Sequence, residues 1–148
     1  MNFFRPIFLN QALLTGPLKA LWFVSADLKH SFTYTPDAAR ATALLGNTND
    51  AYGQIWHLPT DSRKITGKEI ITMIANEFGA DPGISIVPKW MLLLLGIFIP
   101  VMREMPEMIY QYDRDYYFNS SKFTSRFGIS ATPYEVGVKE TCRLFRKL

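Results

Sequence analysis

The side chains able to carry chemistry are few and widely spaced. Histidine occurs only as His30 and His57 and cysteine only as Cys142; neither histidine stands at helical spacing from a second histidine or a cysteine, so no histidine or cysteine ligand pair is written into the chain and metal binding is not expected. A cysteine-based zinc site is excluded by the count, as is an intramolecular disulfide. Cys142 falls between Thr141 and Arg143 inside the last predicted helix and reads as a structural thiol. No Gly-x-Ser-x-Gly elbow offers a nucleophilic serine. The glycines, at 16, 46, 53, 67, 79, 83, 96, 128 and 137, contain no Gly-x-Gly or Gly-x-x-Gly spacing, and a phosphate loop needs such spacing to bring backbone amides onto oxygen. What remains is a set of aromatic and polar residues on short connecting segments: His30, Tyr34, Trp56, Arg103, Glu104, Tyr110 and Gln111. Hydrogen bonding and ring packing from such residues can hold a small molecule, although any one of them more often serves as core or as a solvated turn.

The elements that must position them follow from local rules. Phe4 to Leu14 is apolar and predicted helical, ending at Gly16-Pro17. Leu18 to Val24 and His30 to Tyr34 read as short strands. Thr35-Pro36-Asp37 opens a helix with Thr35 as cap, and Gly46-Asn47 closes it; its alanines allow close packing. Gln54 to Leu58 is a predicted strand closed by Pro59. Thr66-Gly67-Lys68-Glu69 is a capping box, and Ile70, Ile71, Ile74 and Phe78 recur at helical spacing behind it. Ile84 to Val87 is a further strand, and Pro88 begins a helical stretch with expected breaks at Gly96, Pro100 and Pro106. Tyr116 to Phe118 reads as extended. Ser120 to Phe127 is a short helix stopped by Gly128, and Thr132-Pro133-Tyr134-Glu135 is a second capping box for the last helix. Helices and short strands follow one another without regular βαβ alternation, which predicts an α+β (mixed) fold with three to five helices.

Composition sets the class. The chain has 148 residues, 48% of them hydrophobic, 20% charged and 14% aromatic, which excludes intrinsic disorder and leaves room for one core. The charge of +3 is concentrated at Lys139, Arg143, Arg146 and Lys147, but no basic-aromatic platform or helix-turn-helix pattern accompanies them, so nucleic acid is not an expected partner. The apolar run Trp90 to Met102 is shorter than a membrane span requires and contains Gly96 and Pro100. It reads as buried or interfacial structure, and membrane attachment is not expected. The N-terminal segment lacks a clean cleavage site, and the single cysteine fits a reducing compartment, so the expected location is cytoplasmic.

The run His30-Ser31-Phe32-Thr33-Tyr34-Thr35-Pro36-Asp37-Ala38-Ala39, then Gly53-Gln54-Ile55-Trp56-His57-Leu58-Pro59-Thr60, resembles the NAD-dependent epimerase/dehydratase family of extended short-chain dehydrogenases/reductases. The Thr66-Gly67-Lys68-Glu69 helix start, Glu104 to Gln111, Phe118 to Phe123, Phe127-Gly128 and Thr132-Pro133-Tyr134 continue the likeness in order. It covers the chain from about residue 18 onward and corresponds to the C-terminal, substrate-binding part of that family. The resemblance implies a nucleotide-binding half elsewhere, carrying the glycine-rich loop for NAD(P) and a Tyr-x-x-x-Lys pair for proton transfer. Four residues after the seven tyrosines stand Ala38, Trp56, Arg114, Tyr116, Ser120, Ser121 and Val138, so that pair is absent here.

By this resemblance residues 1–148 are a single C-terminal substrate-binding domain with no nucleotide-binding domain. The chain alone would bind no cofactor and carry no catalytic residue, while NAD(P) is implied for a complete enzyme. The expected substrate-binding residues are His30, Tyr34, Trp56, Arg103 and Tyr110. Family members that act on nucleotide sugars place an arginine where His30 stands, a second near Met108 and Ile109, and an aspartate where Asn119 precedes Lys122. The departures imply a smaller and less charged ligand than a nucleotide sugar. A missing half would leave apolar surface bare, at Phe3, Phe4, Phe8 and Leu9 or at Trp90 to Phe98, and the expected partners are a small-molecule substrate, a Rossmann half or a second copy of the chain. The alternative from another class is an independent α+β ligand-binding or interaction module without enzymatic activity.

Overall fold

The computed structural model describes residues 18–99 and 104–146. The helix expected over Phe4 to Leu14 and the candidate Arg103 lie outside them. The described chain divides into two compact units, one formed by residues 18–29 and 66–116 and the other by 30–65 and 117–146.

The first unit is built on a parallel pair of strands, β1 (Leu18–Phe23) and β4 (Pro82–Val87), in register from Leu18 opposite Pro82 to Phe23 opposite Val87. Parallel strands need a crossover rather than a hairpin, and helix α2 (Gly67–Phe78) lies in that connection. Its start is the capping box expected from sequence. Thr66 Oγ1 accepts from the Glu69 amide at 3.1 Å, and the Glu69 carboxylate accepts from the Thr66 amide at 2.6 Å. Its end is Gly79, whose φ of 65° is the left-handed conformation that glycine adopts without a Cβ penalty. Ile70, Ile71 and Ala75 are buried, while Ile74 and Phe78 are half-buried at the margin of that face.

Helix α3 (Lys89–Phe98) and the one-turn helix α4 (Met105–Met108) follow, with a 3-10 turn over Ile109–Gln111. Gly96, an expected break, is helical and buried. Val87, Leu92 and Ile109 form a small core with Phe23, Val24 and Met91 against it. Each fully buried side chain of this size contributes about 1.5–3 kcal/mol.

The second unit contains α1 (Thr35–Gly46), α5 (Ser121–Phe127) and α6 (Tyr134–Phe145), with a 3-10 turn at Asn49–Ala51. Where the chain passes from one unit to the other, two-residue strands β2 (Lys29–His30) and β3 (Ile65–Thr66) pair with each other. Four local expectations change. The strand expected over His30 to Tyr34 is reduced to His30 at the end of β2, and residues 31–34 run as irregular chain. Gln54 to Leu58 is not a strand: its residues find no ladder partner and the segment runs as irregular chain. Thr35 is the first residue of α1 and not its cap; Tyr34 holds that place, its carbonyl accepting the Asp37 amide at 3.0 Å. The Thr132 box does not form either, because α6 starts at Tyr134 and both groups that would close it are engaged elsewhere, as described below. Among the described residues, five helices of seven residues or more, with short strands between them, give the expected α+β class.

Gly67 and Trp22 fix the contact of α2 with β1. A Cβ at Gly67 would fall 2.4 Å from the Trp22 ring, and that ring is held by its Nε1–H donating to Ser25 O at 2.9 Å. Gly67→Ala is expected to destabilise the chain by about 1–3 kcal/mol through overpacking. Thr66→Ala should cost about 1 kcal/mol through loss of the cap. Urea unfolding followed by tryptophan fluorescence measures both, and a larger loss for Thr66→Ala than for Gly67→Ala would contradict the ranking.

Candidate functional site

In sheets of parallel strands, ligands bind beyond the carboxyl ends of the strands, where loops can vary without disturbing the ladder. In the first unit that end lies at Phe23 and Val87. The chain leaves β1 through Val24, whose φ is 61°, an uncommon conformation for a β-branched residue and one that costs about 1–3 kcal/mol. Two hydrogen bonds hold it there: Val24 N–H to Val87 O at 3.0 Å, and Ser25 N–H to Phe23 O at 2.8 Å, the latter closing a three-residue turn.

Aromatic side chains gather at the same end. The Tyr112 ring lies edge-on to Phe23 at 5.7 Å and to Trp22 at 6.4 Å. Tyr110 lies edge-on to Tyr116 at 5.9 Å, and Gln111 Nε2 donates to the Tyr110 hydroxyl at 3.3 Å. The backbone under them is fixed: the amides of Tyr112 and Asp113 both reach Ile109 O, and the Tyr116 amide donates to Lys29 O at 2.9 Å. Tyr110 and Tyr116 remain 46% and 41% exposed. The arrangement offers two phenol hydroxyls, an amide and ring surface on a rigid base, which suits recognition of a small polar molecule. Of the sequence-predicted residues Tyr110 and Gln111 belong to it. Ser25, Tyr112 and Tyr116 were not singled out; the signal for them was their place beside the end of a strand, which the sequence shows only once β1 is known to pair in parallel.

His30, Tyr34 and Trp56 lie in the second unit, each held by different neighbours. His30 is buried, with its ring 6.2 Å from Phe32, which in turn lies edge-on to Tyr134 at 6.3 Å. The Tyr34 ring covers Gly137 of α6, where a Cβ would meet it at 3.3 Å. Trp56 packs on Phe123 and Phe127 and carries the Lys122 ammonium over its ring at 4.1 Å, while Lys122 also donates to Ile55 O at 3.0 Å. Asn119 Oδ1 accepts the Ser121 amide at the start of α5.

The polar links of this unit are between distant residues. Asp37, 4% exposed, accepts the Thr132 amide at 2.6 Å. Arg63 donates to Glu135 at 2.7 Å and lies over the Tyr134 ring at 5.4 Å. Glu135 is held below the ordinary carboxylate range, chiefly by the hydrogen bond from Arg63, but the pair is exposed and contributes little. Among the described residues no group of three His, Cys, Asp or Glu could hold a metal ion, and no helix is long and apolar enough to cross a membrane.

The α+β fold is shared with part of a solved structure. UDP-glucuronic acid 4-epimerase from Bacillus cereus in complex with NAD is similar to this chain, with a TM-score of 0.60 and 14% identity over 93% of this chain. The chain spans 36% of that enzyme's length. No protein-family model matches the sequence, and no curated protein sequence matches it.

Tyr134 gives the second unit a pH signature. Burial is the largest influence on its hydroxyl and pushes it above the usual phenol value, with Asp61 adding to the effect and the Phe32 amide and Arg63 opposing it. With the folded value raised, the group's contribution is complete below pH about 10, where the unfolded phenol ionises, and is lost as pH rises through the folded value. Urea unfolding between neutral pH and strongly alkaline pH should show this decline in the wild-type chain and a flatter one in Tyr134→Phe. Equal slopes for the two proteins would contradict it.

Proposed function

We propose that the chain is the substrate-binding portion of an NAD(P)-dependent epimerase/dehydratase or reductase acting on a small molecule, and that it is not catalytically complete alone. The observation that supports this most directly is the likeness of 93% of the chain to about a third of an NAD-bound epimerase. With it go a parallel strand pair and a cluster of tyrosines at the carboxyl end of that pair. On this reading residues 1–148 act as one substrate-binding domain in the cytoplasm, and a Rossmann half supplies the glycine-rich loop, the Tyr-x-x-x-Lys pair and the NAD(P) site. In the first unit Tyr110, with Gln111 and Tyr116 beside it, is the residue proposed to face substrate; His30, Tyr34, Trp56 and Arg103 are proposed as further substrate contacts by the family resemblance alone.

The substrate is smaller and less charged than a nucleotide sugar. A diphosphate clamp needs forked cations. Here His30 is buried, Ile109 is 2% exposed and belongs to the core, the Asn119 carboxamide oxygen accepts the Ser121 amide, and the Lys122 ammonium is spent on Trp56 and Ile55.

Calorimetry of the full chain with NAD and NADP is expected to show no binding. DNA immediately upstream of Met1 is expected to encode, in frame, Gly-x-x-Gly-x-x-Gly and Tyr-x-x-x-Lys; an unrelated neighbour there would favour the independent binding module. In the enzyme so completed, Tyr110→Ala should raise KM about threefold to tenfold, equivalent to about 0.5–1.5 kcal/mol of ring packing, with NAD(P) affinity unchanged. An unaltered KM would remove Tyr110 from the substrate wall.

A further inference from the structure

Helix α3, KWMLLLLGIF, is apolar at every position after Lys89, yet among the described residues only one side of it is buried. Leu92 and Gly96 point inward, Leu92 onto Val87 and Ile109. On the opposite side Trp90, Leu93, Leu94, Ile97 and Phe98 are 65%, 49%, 50%, 72% and 78% exposed, and Ile99, just past the helix, is 40% exposed. The spacing of 90, 93, 94 and 97 makes one continuous stripe. Taking about 200 Å² for a large apolar side chain, these six leave roughly 700 Å² bare. That exceeds the largest apolar patch of an ordinary monomer, about 300–600 Å², and approaches the roughly 800 Å² that each partner contributes to a stable interface.

We propose that this stripe is the interface of a homodimer, in which α3 packs antiparallel on α3 of a second copy about a two-fold axis between Leu93 and Leu94. The inference stands independently of the proposed function. Three features favour a second copy as the occupant. The stripe is self-complementary: in an antiparallel pair Trp90 of one copy meets Ile97 of the other, and Leu93 meets Leu94, as an isologous contact requires. Its charge pattern is complementary as well. Lys89, exposed at the first position of α3, comes to lie beside the last turn of the opposite helix, where the backbone dipole is negative and where α3 carries no basic residue of its own. No charged side chain interrupts the stripe, so the pairing buries no unpaired charge.

Sedimentation equilibrium of the full chain over a wide concentration range tests this. A reversible dimer is expected. Leu94→Glu and Leu94→Lys, both at an exposed position beside the axis, should each raise the dimer dissociation constant at least tenfold by facing like charges across it, with circular dichroism unchanged. A mixture of the two variants should recover dimer as the heterodimer, which a general loss of folding could not produce. A chain that stays monomeric at every concentration overturns the proposal. So does a dimer indifferent to both single variants, or a wild-type monomer that cosediments with phosphatidylcholine–phosphatidylserine vesicles.

Discussion

The parallel pairing of β1 with β4 is the constraint on which the first unit depends. Because such strands cannot be joined by a tight turn, the chain must leave β1, travel away and return through α2 before Pro82 can lie beside Leu18. The return is accurate only if α2 begins at the right residue and lies close to β1. The capping box at Thr66 sets the first, and the absence of a side chain at Gly67, directly over the Trp22 ring, permits the second. Ser25 then has two tasks: its carbonyl holds the indole in place while its amide closes the turn at Val24. Helix packing and strand exit are thus coupled through adjacent residues.

That coupling explains why the strained residue stands where it does. A β-branched side chain at positive φ would relax if its amide were free. Here the amide is taken by Val87, the last residue of the neighbouring strand, so the parallel register itself maintains the strain. The same register brings Phe23 to the level at which Tyr112 packs, and Tyr112 shares its short turn with Tyr110 and Gln111. The tyrosine cluster is therefore positioned by the strand pair and not by the loop that bears it.

Several local signals were legible where both partners lay within a few residues. Thr66 and Glu69 close their box as expected, and Gly79 and Gly128 end α2 and α5 in left-handed conformations. Legibility failed where a distant residue competed for the same group. Thr132 and Glu135 have the right types for a box, but the Thr132 amide goes to Asp37 and the Glu135 carboxylate to Arg63, partners far away in sequence. Gln54 to Leu58 has strand-like composition and no strand to pair with, because Trp56 turns instead onto Phe123 and Phe127. The α+β class survived these errors because it follows from the number and kind of elements and not from their caps.

The site residues divide along the same line. Aromatic residues on connecting segments are ligand candidates only if their rings and polar tips are not already spent on the chain. Trp56 has given its ring to two phenylalanines and to Lys122, and its Nε1–H donates to Ala51 O at 3.0 Å. Tyr117 has the Lys64 ammonium 3.7 Å from its ring centre. Tyr34 is pressed against Gly137. Such contacts use the same ring surface and the same donors that a ligand would need, so a residue well satisfied inside its unit has less to offer outside it. Tyr110 and Tyr116 are in a different condition: they meet each other edge-on and stay partly exposed, and among the described residues the Tyr110 hydroxyl is bonded to the Gln111 side-chain amide. Availability, more than residue type, therefore directs the substrate reading to the carboxyl end of β1 and β4.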